Sequence, residues 1–247
     1  MSGEQPSTLT DQGYWDARWG QQPLRYNRAE VLFQDLFARY VPPGADCFEV
    51  GCFPGRYMIY LAQERGCTVS GIDFTGNFDA MRDLLQREGV EPDRLYNADF
   101  LQFQAERAYS FVYSVGFIEH FVNFEDLIAR HAALVRKGGL LMLACPNFRG
   151  PVQYALHSLL DRRDLRKHYL PSMDLRAWQR VLERSGMEVL YAGYYRTFRF
   201  WVAEDRRPPL VEKTAALISR GAGWIDRRVN RPNPWTSPHM VCIAIKR

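Results

Sequence analysis

The chain reads first as short apolar runs alternating with longer amphipathic ones. The runs at residues 47–50, 67–73, 94–99, 109–114 and 140–146 have strand length, and most are too continuously apolar to face water on one side. Between them, residues 54–65, 77–88 and 124–137 carry apolar positions at helical spacing. Gly66 and Gly89 stop the first two helices. The third shows an apolar face of Leu127, Ile128, His131, Leu134 and Val135. It runs into Arg136 and Lys137 ahead of Gly138 and Gly139, the charge and glycine pattern of a helix C-terminus. Strands separated by helices in this way predict a parallel sheet covered on both faces.

The two ends depart from that rhythm. Residues 187–202 and 239–247 read as further strands, and between them lie a helical stretch at 210–229 and the loop NRPNPWTSP. Strands joined this way predict an antiparallel pair at the edge of the sheet. Residues 1–45 form an appended helical segment, with YWDARWG and then RYNRAEVLFQDLFARY, stopped by Pro42 and Pro43. The expected organisation is one domain: a helical segment at 1–45, a core at 46–150, and a final part at 151–247 carrying an insertion at about 205–237.

Composition narrows the classes. With 47% hydrophobic and 24% charged residues, the 247-residue chain has the balance of an ordinary globular protein. A net charge of +4 without a long Lys/Arg run gives no argument for nucleic acid, and none is expected as a partner. The five cysteines form no C-x-x-C pair and read as buried free thiols, which suits a reducing compartment. The polar N-terminus lacks the apolar core of a signal peptide, and no stretch reaches the run of about 20 apolar residues that spans a bilayer. The expectation is a cytoplasmic protein with no membrane span.

The candidate chemistry starts at CFEVGCFPG, residues 47–55, where a strand turns into a helix through Gly51 and Gly55. In an open α/β sheet, ligands bind at the C-terminal ends of the strands. A dinucleotide does not suit this turn. The middle glycine of G-x-G-x-x-G, which lets backbone touch a pyrophosphate, is replaced by Phe53, and Pro54 donates no N–H. No G-x-x-x-x-G-K-[ST] loop exists either. A nucleoside without phosphates fits better.

Glu49, Gly51 and Gly55 form E-x-G-x-x-x-G, and Asp73 follows Gly51 by 22 residues at the end of the second strand. These residues, with Asp99 and Phe100 in YNADFLQF and the segment LVRKGGLLMLACPN, resemble the motifs of the S-adenosylmethionine-dependent methyltransferases with a Rossmann-like fold. The resemblance covers about residues 45–150 well and the late strands more loosely. It implies a seven-stranded, mostly parallel sheet with an antiparallel last strand, and S-adenosyl-L-methionine as cofactor. The implied cofactor contacts are Glu49, Gly51, Cys52, Phe53 and Gly55 at the turn, and Asp73 and Phe74 at the ribose. Asp99 and Phe100 would meet the adenine, and Ser114 ends the fourth strand. Phe53 in place of a second glycine, and Ser110 where an Asp often stands, are departures from the family pattern.

Methyl transfer is an in-line displacement that can need little beyond positioning. The best candidate for a catalytic side chain is His120, in SVGFIEHFVN just after the fourth strand, as a proton acceptor or a residue that shapes the site. Glu119, His120 and His168 resemble part of a metal-binding set in one branch of RNA 2′-O-methyltransferases. Gly116 stands where that set has another glutamate, so no metal is expected.

The region after the fifth strand commonly covers the acceptor in this family. It offers Asn147, His157 and His168 as acceptor contacts, with Glu119 and Tyr26 from elsewhere. Trp15, Trp19, Arg25 and Tyr26 are lid candidates, with Arg25 or Tyr26 able to reach a methionine carboxylate. The CPNFRG pattern is similar to methyltransferases of bacterial polysaccharide and specialised-metabolite pathways. The expected activity is methylation of a hydroxyl or amine on a small molecule. An RNA 2′-O-methyltransferase and a non-enzymatic subunit keeping the fold are the alternatives. The 205–237 insertion reads equally as a lid or as a homodimer contact.

Overall fold

The computed structural model describes residues 8–20, 24–202 and 208–247. In chain order the elements are α1 (Gln12–Trp19), α2 (Gln34–Tyr40), β1 (Asp46–Val50), α3 (Arg56–Arg65), β2 (Thr68–Asp73), α4 (Phe78–Arg87), β3 (Arg94–Asn97) and β4 (Tyr109–Val115). There follow α5 (Phe124–Ala133), β5 (Val135–Pro146), α6 (Pro151–Leu160), α7 (Arg162–Leu165), α8 (Leu175–Arg184), β6 (Met187–Tyr195), α9 (Pro209–Arg228) and β7 (His239–Lys246). The strands form one seven-stranded sheet in the order β3-β2-β1-β4-β5-β7-β6. Only β7 runs antiparallel to its neighbours; it is inserted between β5 and β6 and pairs with both.

Each face of the sheet buries its own core. On one side Phe37, Met58, Leu61, Met81 and Leu85 from α2, α3 and α4 pack on the strands. On the other, Leu127 and Ile128 of α5 and Trp178 and Leu182 of α8 cover Phe48, Val112 and Leu141. Double coverage explains why the central strands are apolar at successive positions rather than at alternate ones. Asp174 caps α8 by accepting hydrogen bonds from the Arg176 and Ala177 amides at 2.9 and 3.2 Å.

Three of the boundaries that differ from the sequence expectation have a local cause. Helix α3 begins at Arg56, not at residue 54, because Gly55 sits at φ 92°, outside the helical region. Helix α5 stops at Ala133, and Val135 already pairs with Tyr109 in the sheet. Arg136 and Lys137 therefore belong to an irregular start of β5, where the register shifts between Tyr109 and Phe111. Strand β6 ends at Tyr195 because Arg196 turns into the left-handed region at φ 64°. Phe198, Phe200 and Val202 leave the sheet and pack under α9 instead.

Candidate active site

The strand order reverses between β1 and β4, and a cavity of about 530 Å³ opens at their C-terminal ends. Its floor comes from the ends of β1, β2 and β4 and the turn after β3: Glu49, Ile72, Asp73, Ala98, Asp99 and Val115. The turn after β1 lies against it. Gly51 takes φ +74°, and a Cβ there would stand 2.8 Å from Cδ2 of Phe117, so the position requires glycine on both counts. The amides of Gly51 and Cys52 both donate to the Ile72 carbonyl, at 2.9 and 3.1 Å. That leaves the Phe53 amide to donate to Oδ2 of Asp73 at 2.9 Å.

Burial dominates the electrostatics. It pushes the Asp73 carboxyl up to about 6, a rise that the Phe53 amide only partly offsets. Glu49 is fully enclosed and driven well above the ordinary carboxylate range, although Tyr113 Oη donates to its Oε2 at 3.0 Å. Asp99 Oδ1 accepts from the Leu101 amide at 2.9 Å, which fixes the turn after β3. Phe100 is buried at the cavity wall, packed edge-on against Phe117 and His131, while Phe74 stays half exposed at the rim. Arg56 is the one Lys or Arg among the described wall residues.

Helix α1 closes the cavity from above. Asp16 ties it down: its Oδ1 accepts from Thr75 Oγ1 at 2.8 Å and from the Gly76 amide at 2.7 Å, while its carbonyl accepts from Asn77 Nδ2. Trp19 packs on Phe53 with ring centroids 5.6 Å apart, and Trp15 meets His120 edge-on at 4.9 Å. Leu9 donates its amide to the His120 carbonyl at 2.8 Å.

His120 lies in the wall on the short turn after β4. Its Nδ1 is 2.9 Å from the Lys167 carbonyl, which makes Nδ1 the protonated nitrogen and leaves Nε2 with a free lone pair. Burial lowers its pKa to about 4, so the ring is neutral at pH 7. His168 repeats the arrangement, with Nδ1 2.8 Å from the Asp164 carbonyl. Buried Glu119, its pKa raised to about 8 by burial, completes a group in which one ligand atom from each of Glu119, His120 and His168 lies within 4.8 Å of the others.

Most of the sequence-derived cofactor residues line the cavity: Glu49, Gly51, Cys52, Phe53, Asp73, Phe74, Asp99 and Phe100. Gly55 and Ser114 do not. Gly55 acts through its backbone, at the start of α3, and Ser114 is buried within β4 opposite Leu143. Several acceptor candidates lie elsewhere. Tyr26 packs on the α2–α3 core, with Glu64 and Glu88 among its electrostatic neighbours, outside the cavity wall. Asn147 binds the Pro234 and Ser237 carbonyls through Nδ2, both at 3.1 Å, and so anchors the loop before β7. His157 is fully buried among Phe148, Phe200 and Trp201. Glu119 and His168 sit behind His120 and not in the wall.

Sequence reasoning missed Asp16, Arg56, Phe117 and Phe121. Arg56 had a legible signal as the first helical residue after the glycine turn; Asp16 had none, because its partners are about 60 residues away.

Comparison with known proteins agrees with this architecture. Residues 24–192 match the family model described as a methyltransferase domain, and the chain belongs to that family. Its fold is that of the class I S-adenosylmethionine-dependent methyltransferases. Pavine N-methyltransferase from Thalictrum flavum subsp. glaucum is 25% identical over 121 residues; the match spans 47% of this chain but only 34% of that protein.

Among solved structures, magnesium protoporphyrin IX methyltransferase from Synechocystis PCC 6803, with S-adenosylhomocysteine bound, aligns at TM-score 0.55 and 17% identity, covering 86% of this chain and 78% of that one. Geranyl diphosphate C-methyltransferase from Streptomyces coelicolor A3(2) aligns at TM-score 0.56 and 12% identity, covering 83% and 74%. At these identities the likeness is one of fold.

Proposed function

We propose that the cavity binds S-adenosyl-L-methionine and that the protein transfers its methyl group to a hydroxyl or amine of a small molecule. When bound, that cofactor supplies an electrophilic methyl on a positively charged sulfur. The single observation that carries the reading is Asp73, a partly buried carboxylate at the end of β2 that lines the cavity beside the Phe53 amide. Such a carboxylate accepts both hydroxyls of a ribose. Asp99 and Phe100 suit the adenine beyond it, and Arg56 is the cation available to a methionine carboxylate. Glu49, enclosed near the same end, is drawn toward its charged form by an ammonium or sulfonium group.

The acceptor end takes its walls from Thr8, Thr10, Trp15, Phe117, His120 and Phe121. Hydroxyls and aromatic faces of this kind suit a sugar unit of a polysaccharide precursor, or a compact specialised metabolite. They do not suit a polyanion, since Arg56 is the only Lys or Arg in the described wall. Neutral His120 presents Nε2 to an acceptor O–H or N–H. With a pKa of about 4 it orients that group and steers its lone pair toward the methyl carbon more than it removes the proton outright. The five cysteines are buried free thiols, which supports a reducing, cytoplasmic setting.

One observation favours a second reading of the acceptor end. His120 and His168 each hold Nδ1 on a backbone carbonyl, the arrangement that orients metal-binding imidazoles, and Glu119 Oε2 is buried without a hydrogen-bond partner among the described residues. The three fit a divalent ion that takes two imidazoles and a carboxylate.

The test of the main proposal is transfer of labelled methyl from S-adenosylmethionine to panels of sugars, amines and structured RNA. Labelled small acceptors support it. Labelling of RNA alone would replace it, and labelling of nothing by protein that binds the cofactor would point to a non-enzymatic role.

A further inference from the structure

Helix α9 covers little of the sheet. Its buried side carries Ala215 and Ala222, which pack on a small cluster around Phe200, and Asp226. The outer side is unusual for a surface helix. Leu210, Leu217 and Trp224 are 76%, 71% and 53% exposed, and they recur at seven-residue intervals. Such a spacing keeps side chains within about 20° of one line along a helix.

A second line runs beside the first. Lys213, Arg220 and Arg227 are also exposed, also seven apart, and offset from the apolar line by about 60° at 100° per residue. Arg228 adds a further cation, stacked over the Trp224 ring at 4.2 Å. Against these four exposed cations the helix exposes one carboxylate, Glu212, since Asp226 is buried and paired with Arg196 and Arg199.

We propose that this face of α9 docks on an anionic membrane surface. Single large apolar side chains about 10 Å apart do not form the continuous patch that a protein partner buries. They suit insertion between lipid chains, with the parallel basic line at the level of the headgroups. A second copy of the chain is a poorer occupant, because a two-fold contact along this face brings basic lines near one another. The helix lies on the surface and does not cross it: no helix among the described residues is long and apolar enough to span a bilayer.

The test is co-sedimentation of the full chain with vesicles of phosphatidylcholine alone and of phosphatidylcholine mixed with phosphatidylglycerol. Binding is expected to the mixed vesicles and at least about tenfold weaker to the neutral ones, declining as salt rises. Leu217→Glu with Trp224→Glu should abolish it, and Arg220→Glu should weaken it by fivefold or more. These side chains are exposed, so S-adenosylhomocysteine titration of each variant should be unchanged, which separates failure of this proposal from failure of the cofactor reading. Equal binding by the double variant, or no binding at low salt by folded protein, overturns the proposal. So does a dimer in sedimentation equilibrium that the same double substitution dissociates.

Discussion

Replacing Asp73 with Asn tests the cofactor reading at its narrowest point. The change keeps the shape of the side chain and an oxygen for the Phe53 amide, now 2.9 Å from Oδ2, so the glycine turn keeps its geometry. What disappears is the charge. Hydrogen bonds to a charged group are stronger than neutral ones by about 1–1.5 kcal/mol each, so losing that advantage at two ribose hydroxyls costs about 2–3 kcal/mol. Binding of S-adenosylhomocysteine, read by calorimetry at pH 7.5, should weaken by roughly 30- to 150-fold.

Fold stability should move differently from affinity. The Asp73 carboxyl is raised from an ordinary 3.8 to about 6 in the free protein, so the folded state holds a proton over that window that the unfolded chain has lost. Its contribution to stability is present below the lower value and is lost as pH rises through about 6. At pH 7.5 the variant should therefore melt no lower than the parent.

Ligand binding favours the charged form, so in the parent affinity should fall as pH drops below about 6, by up to about tenfold per unit. The Asn variant should be flat in that range. An Asn variant that binds within about threefold of the parent, or two pH profiles that run parallel, would mean that the Asp73 charge does not hold the ribose.

Other substitutions probe the remaining parts of the site. Gly51→Ala pushes a Cβ to 2.8 Å from Phe117 and strains φ +74°; it should cost about 1–3 kcal/mol in chemical denaturation and remove cofactor binding. Asp16→Ala removes the side-chain clasp on Thr75 and Gly76, and stopped-flow should show S-adenosylhomocysteine leaving roughly 5- to 30-fold faster with little change in melting temperature. His120→Ala should lower kcat about a hundredfold while leaving S-adenosylhomocysteine affinity within about threefold. Cobalt titration of the parent separates the two readings of His120: a visible absorption band lost in His168→Ala supports a metal, and its absence in protein that binds the cofactor favours orientation alone.

The fold was legible because its signals are local. The run LLMLAC packs on both faces of the sheet and shows it as continuous apolar sequence, and Gly55 and Gly66 take the left-handed conformations that bound α3. The end of α5 was not legible. Arg136, Lys137, Gly138 and Gly139 imitate a helix C-terminus, but what decides the boundary is Val135 pairing with Tyr109, a partner 26 residues back. The residues that line the cavity were reached through the resemblance of their motifs to those of the methyltransferases.

The acceptor candidates Tyr26, Asn147 and His157 came from the N-terminal segment and the region after the fifth strand, and position in the chain does not indicate where a side chain points. Asn147 spends its amide on the loop before β7, and His157 is enclosed by Phe148 and Trp201. Asp16, which clasps the lid, carried no pattern at all, because its value depends on meeting Thr75 across the fold.

The cavity at the ends of β1, β2 and β4 is proposed as the cofactor site. The most direct test is a crystal structure grown with saturating S-adenosylhomocysteine. Density is expected in this cavity, with both ribose hydroxyls on the Asp73 carboxylate, the adenine beside Phe100, and α1 still clasped through Asp16. An empty cavity in well-ordered crystals, or the ligand bound elsewhere on the molecule, would contradict it.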